Sequence, residues 1–223
     1  MHIPDGFLSA PVWAAAGAVS AAAVAVSAGR LGKTMEEKQV PLMGVTAAFI
    51  FAAQMVNFPI AAGTSGHLGG GVLAALLLGP WAGTLVMTAI LVVQALLFQD
   101  GGITALGANL LNIGLLPCLL GFPLFRLLRR LLAGTRGALI AAFLTAWLMV
   151  VLGAALAALQ LALSGTVPLH LVLPAMAGIH ALIGVGEGLI TAAALAFLLR
   201  VRRDLVHPLC LPRQRKADAG QTA

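Results

Sequence analysis

The chain alternates between long apolar runs and short polar breaks. The apolar runs fall at 8–29, 40–60, 68–79, 81–98, 103–125, 137–163 and 174–199, and the main breaks at 30–39, 63–67, 99–102, 126–136 and 164–170. A helix of about 20 apolar residues crosses a hydrocarbon core of about 30 Å, so the pattern predicts a bundle of membrane-spanning helices. The third run is short and Gly-rich, and Pro80 and Trp81 follow it directly. That boundary predicts a tight turn into the fourth run.

Composition sharpens the picture. The 223 residues are 61% hydrophobic and 9% charged, with a mean hydropathy of +1.03. A soluble domain carries about 25% charged residues, so a water-soluble globule is excluded. Tyr is absent, Trp is sparse, and Ala, Leu and Gly dominate. This is the composition of closely packed helices and not of an outer-membrane barrel. Cys118 and Cys210 provide no disulfide framework and no metal-binding spacing.

Charge placement sets the expected topology. All 13 basic residues fall in three clusters: Arg30, Lys33 and Lys38; Arg126, Arg129, Arg130 and Arg136; and Arg200, Arg202, Arg203, Arg213, Arg215 and Lys216. Cationic loops lie on the cytoplasmic side, which accounts for the net charge of +6 without nucleic acid as a partner. An even number of crossings must then separate the clusters. The expectation is an all-α integral membrane protein of seven transmembrane helices, N-terminus outside and C-terminus cytoplasmic. Residues 1–203 form a single transmembrane domain, and 204–223 a short basic cytoplasmic tail without fixed structure. The first span lacks the positive n-region of a cleavable signal peptide. Its small-residue face (Ala14, Ala18, Ala21, Ala22, Ala25) suits close packing against another helix.

Two segments on the expected outer side carry candidate chemistry. Met1-His2 offers an α-amine, the His2 amide and the His2 Nδ1 in sequence. These nitrogens close a five-membered and a six-membered chelate ring when the amide loses its proton. A planar nitrogen field suits Ni(II) or Cu(II), although a His in second position also arises by chance. Pro4-Asp5-Gly6 is a turn signature. His67, in Gly63-Thr64-Ser65-Gly66-His67, supplies a further imidazole on the same side. The competing reading is a structural, hydrogen-bonded histidine. With ordinary histidine and amine titration, affinity at such a site falls steeply between about pH 8 and about pH 5.

Gly63-Thr64-Ser65-Gly66 also has the form of the rhomboid protease nucleophile motif, with His180 as a conceivable base. The alternative function is therefore a rhomboid-like intramembrane serine protease using Ser65 and His180; the bland reading of the motif is a close-packed turn. Gln54, Asn57, Gln94, Asn109, Asn112, His180 and Glu187 lie within apolar runs and should face the bundle interior. There is no phosphate-binding GxxxxGK[ST] loop. If the chain transports a solute, energy comes from a partner.

The segment Met1-His2-Ile3-Pro4-Asp5-Gly6-Phe7-Leu8-Ser9 resembles the N-terminal signature of the CbiM/NikM family, the substrate-binding components of energy-coupling factor (ECF) transporters for cobalt and nickel. Similar motifs continue at Gln54-Met55-Val56-Asn57-Phe58-Pro59-Ile60, Gly63-Thr64-Ser65-Gly66-His67-Leu68-Gly69-Gly70, Phe98-Gln99-Asp100-Gly101-Gly102, Gly107-Ala108-Asn109 and Gly178-Ile179-His180-Ala181-Leu182-Ile183-Gly184. The resemblance implies a six-helix ECF core plus one N-terminal helix. It implies a metal held by the Met1 amine, the His2 amide and imidazole, and the His67 imidazole. Asp5, Asn57, Ser65 and His180 are candidates for supporting roles. It further implies Ni2+ or Co2+ as transported substrate and no organic cofactor. The implied partners are a CbiN/NikN-like small membrane subunit, a CbiQ/NikQ-like coupling subunit and CbiO/NikO-like ATPases. The implied location is the inner or plasma membrane of a prokaryotic cell. On this reading the chain is a transporter subunit and not an enzyme.

Overall fold

A computed structural model describes residues 2–33, 35, 37, 39–56, 58–60 and 64–210, with the backbone alone at 58–60, 64–66 and 209. The apolar runs form α1 (Ala10–Leu31), α2 (Gln39–Met55), α3 (Gly71–Leu78), α4 (Pro80–Leu97), α5 (Leu106–Asn109), α6 (Gly121–Leu131), α7 (Gly134–Leu163) and α8 (Leu169–Val201). A π-helical segment, Leu110–Leu120, joins α5 to α6, so Leu106–Leu131 is one continuous helix. Five helices are long and apolar enough to cross a membrane: α1, α4, Leu106–Leu131, α7 and α8. α2 is apolar but has 17 residues.

The third run, short in the sequence, forms an even shorter helix. α3 has eight residues, or about 12 Å of helix, too little to cross alone. Ahead of it lies a small antiparallel ladder of β1 (Phe58–Ile60) and β2 (Thr64–Gly66), with Pro59 opposite Ser65. The apolar/polar pattern gave no sign of strands. α3 is apolar on every side and accordingly buried on every side: Val72, Leu73, Ala74, Ala75 and Leu76 are all nearly inaccessible. It forms the centre of the bundle, with α2, α4, the π segment, α6, α7 and α8 around it.

Pro117 explains the space that α3 enters. A proline inside a helix has no N–H to give and pushes away the carbonyl four residues back. The Gly71 backbone approaches at that point, where a Cβ would lie 2.8 Å from the Ile113 carbonyl oxygen. The Cys118 thiol donates to the Gly71 carbonyl oxygen at 3.3 Å.

Side-chain and loop contacts sort the connections into two ends. At one end Gly102 N–H donates to the Ile3 carbonyl at 2.9 Å, Asp5 accepts from the N–H groups of Ile103 and Thr104, and Thr166 Oγ1 donates to the Phe7 carbonyl. At the other end the Arg30 guanidinium lies 5.8 Å from the Trp81 ring centroid. There Arg129 donates to the carbonyls of Leu132 and Gly134, and His207 N–H donates to the Leu76 carbonyl at 3.0 Å. The described parts of the three basic regions therefore collect at this second end. The chain passes from His67 near the first end to Leu76 near the second, first extended and then as α3.

α7 and α8 form the most extensive helix pair. Gly188 lies so close to Phe143 that a Cβ would collide, and Gly184 packs tightly against Trp147. The Trp147 indole N–H donates to the Ala181 carbonyl at 3.0 Å. Gly178 and Gly186, on the same helix, face open space. On α1 the buried positions are Ala16, Ser20, Ser27 and Leu31. Ala14, Ala18, Ala21, Ala22 and Ala25 point away from the bundle.

The expected tail is amended at its start. Two short 3-10 turns, Arg203–Leu205 and Pro208–Cys210, fold against the bundle, and Val206 and Cys210 are buried. Residues 211–223 lie outside the described residues.

Candidate metal centre

His2 and His67 are brought together. Their ring centroids lie 4.9 Å apart with an interplanar angle of 23°. Three structural devices place them.

The first holds the N-terminal strand. The Asn109 side chain grips the Ile3 backbone on both sides: Ile3 N–H donates to Asn109 Oδ1 at 2.7 Å, and Asn109 Nδ2 donates to the Ile3 carbonyl at 3.0 Å. Ile3 is itself buried. The turn expected at Pro4-Asp5-Gly6 is present, with Gly6 at φ +84°. The Asp5 carboxylate is taken up by the turn at Ile103 and Thr104, and its hydrogen bonds, led by the Thr104 hydroxyl, hold it below the usual carboxylate range.

The second device anchors the segment after His67. Gly69 N–H and Gly70 N–H donate to the two carboxylate oxygens of Glu187 at 2.7 and 2.8 Å. Consecutive N–H groups at a helix start form a natural anion cradle, and α3 begins at Gly71. Gly70 has φ +75°, and a Cβ there would lie 2.6 Å from Ile50 Cγ2. Glycine is required at this position for both reasons.

The third device is a pair of glutamines. Gln94 Nε2 donates to Gln54 Oε1 at 2.7 Å, and Gln54 Nε2 donates to the Gly69 carbonyl at 2.6 Å. Both side chains are fully buried. His2 Nε2 and Gln94 Oε1 are buried without a partner at hydrogen-bonding geometry, yet the Gln94 amide lies close enough to act on the ring. A His2 tautomer with its proton on Nε2 would present a donor to that amide and leave Nδ1 as a free lone pair.

Burial fixes the charge state of both rings. It pushes the His2 and His67 imidazoles down to about 3, and the positive charge of the amino terminus acts in the same direction. Both are therefore neutral, as metal ligands must be. The expectation of ordinary histidine titration near 6.5 is corrected by this burial. Among the described residues no three His, Cys, Asp or Glu side chains form a metal-holding cluster.

The other sequence candidates fall in different places. Met1 and Asn57 lie outside the described residues, as does the side chain of Ser65. His180 is buried in α8, where its Nδ1 faces the Met176 carbonyl of its own helix at 2.8 Å. Glu187, seven residues on, serves the Gly69–Gly70 cradle and shares no hydrogen-bond partner with His180. Asn112 and Gln160 bond reciprocally at 2.8 and 3.1 Å. The pattern of polar residues did not single out Asp100 for chemistry; its Oδ1 lies 3.3 Å from His2 Nδ1. Only the resemblance carried that residue, as one letter of a longer motif.

Comparison with known proteins decides the family. The model of CbiM, described as cobalt uptake substrate-specific transmembrane region, matches residues 2–205. The chain belongs to that family. A putative fused nickel transport protein NikMN of Archaeoglobus fulgidus is 40% identical over 214 residues, spanning 95% of this chain and 70% of the relative. The cobalt transport protein CbiM of Sorangium cellulosum is 34% identical, spanning 94% of this chain and 96% of the relative. A crystal structure of a truncated transition metal transporter superposes with a TM-score of 0.82 at 34% identity, covering 90% of this chain and 99% of the other. The CbiM-family chain is thus a multi-pass membrane component of cobalt or nickel transport. Nothing in the relatives supports the intramembrane serine protease alternative, and His180 is engaged within its own helix.

Proposed function

We propose that this CbiM-family chain binds Ni2+ or Co2+ at the extracytoplasmic face of a prokaryotic cell membrane, as the substrate-specific component of an ECF-type transporter. The observation that carries this reading is the buried, neutral, stacked pair His2 and His67. Four nitrogens make the site: the Met1 amine, the His2 amide, His2 Nδ1 and one His67 nitrogen. The rigid grip on Ile3 and the Glu187 cradle pre-organise it from two sides. The chelate formed by Met1 and His2 favours Ni2+, because a planar nitrogen field suits that ion.

The orientation follows from charge. The end that collects the basic segments faces the cytoplasm, so the His2–His67 end faces outward. The chain then crosses the bilayer seven times, with 68–70 and α3 together making the third crossing. The energy for release comes from ATP hydrolysis in partner subunits. The fused form of the Archaeoglobus relative, which is longer than this chain, supports a small CbiN/NikN-like membrane partner; a CbiQ/NikQ-like coupling subunit and ATPases complete the assembly. Residues 204–223 form its basic cytoplasmic segment.

Metal titration of the purified protein tests the site. Adding one residue ahead of Met1, or acetylating the amine, displaces a donor from the five-membered ring and is expected to abolish Ni2+ binding while the helical fold persists. Unchanged affinity in the extended protein overturns the donor set. A reporter fused after Ala223 should read cytoplasmic, and one inserted within 164–167 external.

A further inference from the structure

The four-nitrogen site leaves one nearby carboxylate without a role. The turn at 98–102 brings Asp100 to the histidine pair through backbone conformations that side-chain-bearing residues rarely adopt. Gln99 has φ +55° and Gly101 φ +97°. Such conformations persist where the surroundings enforce them, and they concentrate at functional sites. Here they are enforced from both sides: Asp100 N–H donates to the Gln94 carbonyl at 3.1 Å, and Gly102 N–H donates to the Ile3 carbonyl at 2.9 Å. A Cβ on Gly101 would lie 3.4 Å from His2 Cβ, so the turn lies directly against the histidine.

The outcome is a carboxylate aimed at the ring nitrogen that the chelate needs. Asp100 Oδ1 is 3.3 Å from His2 Nδ1, and its side chain is 29% exposed against 7% for His2. Asp100 also acts electrostatically on His67. It is therefore the more exposed partner of His2 and within electrostatic reach of both imidazoles. Asp5, at the same end, has its oxygens committed to Ile103 and Thr104.

Charge counting gives Asp100 its task. A divalent ion held by an amine, two neutral imidazoles and one deprotonated amide retains a single net positive charge. A buried, uncompensated charge is strongly disfavoured. We propose that Asp100 is the counter-charge of the bound ion: it attracts the divalent cation to the mouth of the site and neutralises the remaining charge, without entering the four-nitrogen plane. With the ring proton on Nε2, beside Gln94, His2 Nδ1 keeps its lone pair for the ion, and Asp100 lies 3.3 Å from that nitrogen. The site as a whole then matches an ion of charge two and discriminates against monovalent ions.

This inference rests on the four-nitrogen reading, so the test includes a variant for each. Ni2+ titration of the full chain in detergent compares the unmodified protein with Asp100→Asn, Asp100→Glu and His2→Ala. Asp100→Asn is expected to bind at least about ten-fold more weakly, equivalent to about 1.4 kcal/mol. Its metal-free melting temperature and the wavelength of the Ni2+ absorption band should be unchanged, and the salt dependence of its association rate should fall. Asp100→Glu restores the charge and should recover part of the affinity. An Asp100→Asn affinity within about two-fold of the unmodified protein, while His2→Ala abolishes binding, overturns the counter-charge role alone. A shifted absorption band overturns it too, because Asp100 would then be a direct ligand. Undiminished binding in His2→Ala takes down both readings.

Discussion

The Glu187 carboxylate, in the middle of α8, accepts a 2.7 Å hydrogen bond from the backbone N–H of Gly69, two residues after His67. The second oxygen takes the Gly70 N–H. One intramembrane acid thereby ties the segment carrying a proposed ligand to the longest helix in the bundle. In the sequence Glu187 was one of several polar residues expected in the bundle interior.

Removing that acceptor should be costly. Glu187→Ala leaves the Gly69 and Gly70 N–H groups unpaired, at about 1–3 kcal/mol for the buried Gly70 group. It should lower both the melting temperature and the Ni2+ affinity. Glu187→Gln keeps one oxygen acceptor and should fall between the two. Thermal unfolding in detergent with and without Ni2+ separates the losses. Equal behaviour of all three proteins would remove the anchoring role.

Asn109→Ala should loosen the N-terminal strand. It deletes both hydrogen bonds to Ile3, so the His2 end loses its pre-organisation. The expected result is a Ni2+ affinity reduced by about ten-fold or more, on the order of 1.4 kcal/mol. Hydrogen exchange at Ile3 should accelerate.

Gly70→Ala should disrupt the start of α3. The left-handed backbone and the 2.6 Å approach to Ile50 Cγ2 leave no room for a methyl group. A loss of about 1–3 kcal/mol is expected, read as a lower melting temperature. Gly178→Ala, facing open space on α8, is the matched control and should be near neutral.

The pH response divides between stability and binding. The folded protein holds the His2 and His67 imidazoles at about 3, below the ~6.5 of an unfolded chain. The unfolded state therefore binds more protons between these values. Stability is fully present above about pH 6.5 and is lost as pH falls toward 3, by up to ~1.4 kcal/mol per pH unit for each histidine. The metal-free melting temperature should fall across that window, and His2→Gln/His67→Gln should flatten the fall. Ni2+ affinity should still drop between about pH 8 and about pH 5, now because the amine and the amide must lose protons.

The apolar runs alone determined that this chain forms a helical membrane bundle, since charge at 9% of residues leaves no other way to solvate it. Basic residues in three clusters were enough to place 30–33, 126–136 and 200–203 at a common end. Gln54, Gln94, Asn109, Asn112, His180 and Glu187 were recognisable as interior residues because polar groups are costly in lipid. His2 and His67 were legible as partners because the topology put both on one side, and histidine and amine chemistry limits what such a pair can hold. The short, Gly-rich third run was visible in the sequence, but not its burial at the centre of the bundle against Pro117 and the surrounding helices. Hydropathy did not carry the strands at 58–60 and 64–66, whose pairing depends on backbone register. The packing of Val206 and Cys210 was hidden in a segment that looked like a solvated tail. Asp100 needed the tertiary structure most. Its relation to His2 spans 98 positions of chain, and only the enforced turn at Gln99 and Gly101 aims the carboxylate at the imidazole. Hydrophobic periodicity reports which face of an element is buried; which buried polar groups meet depends on loops whose conformation the surrounding helices impose.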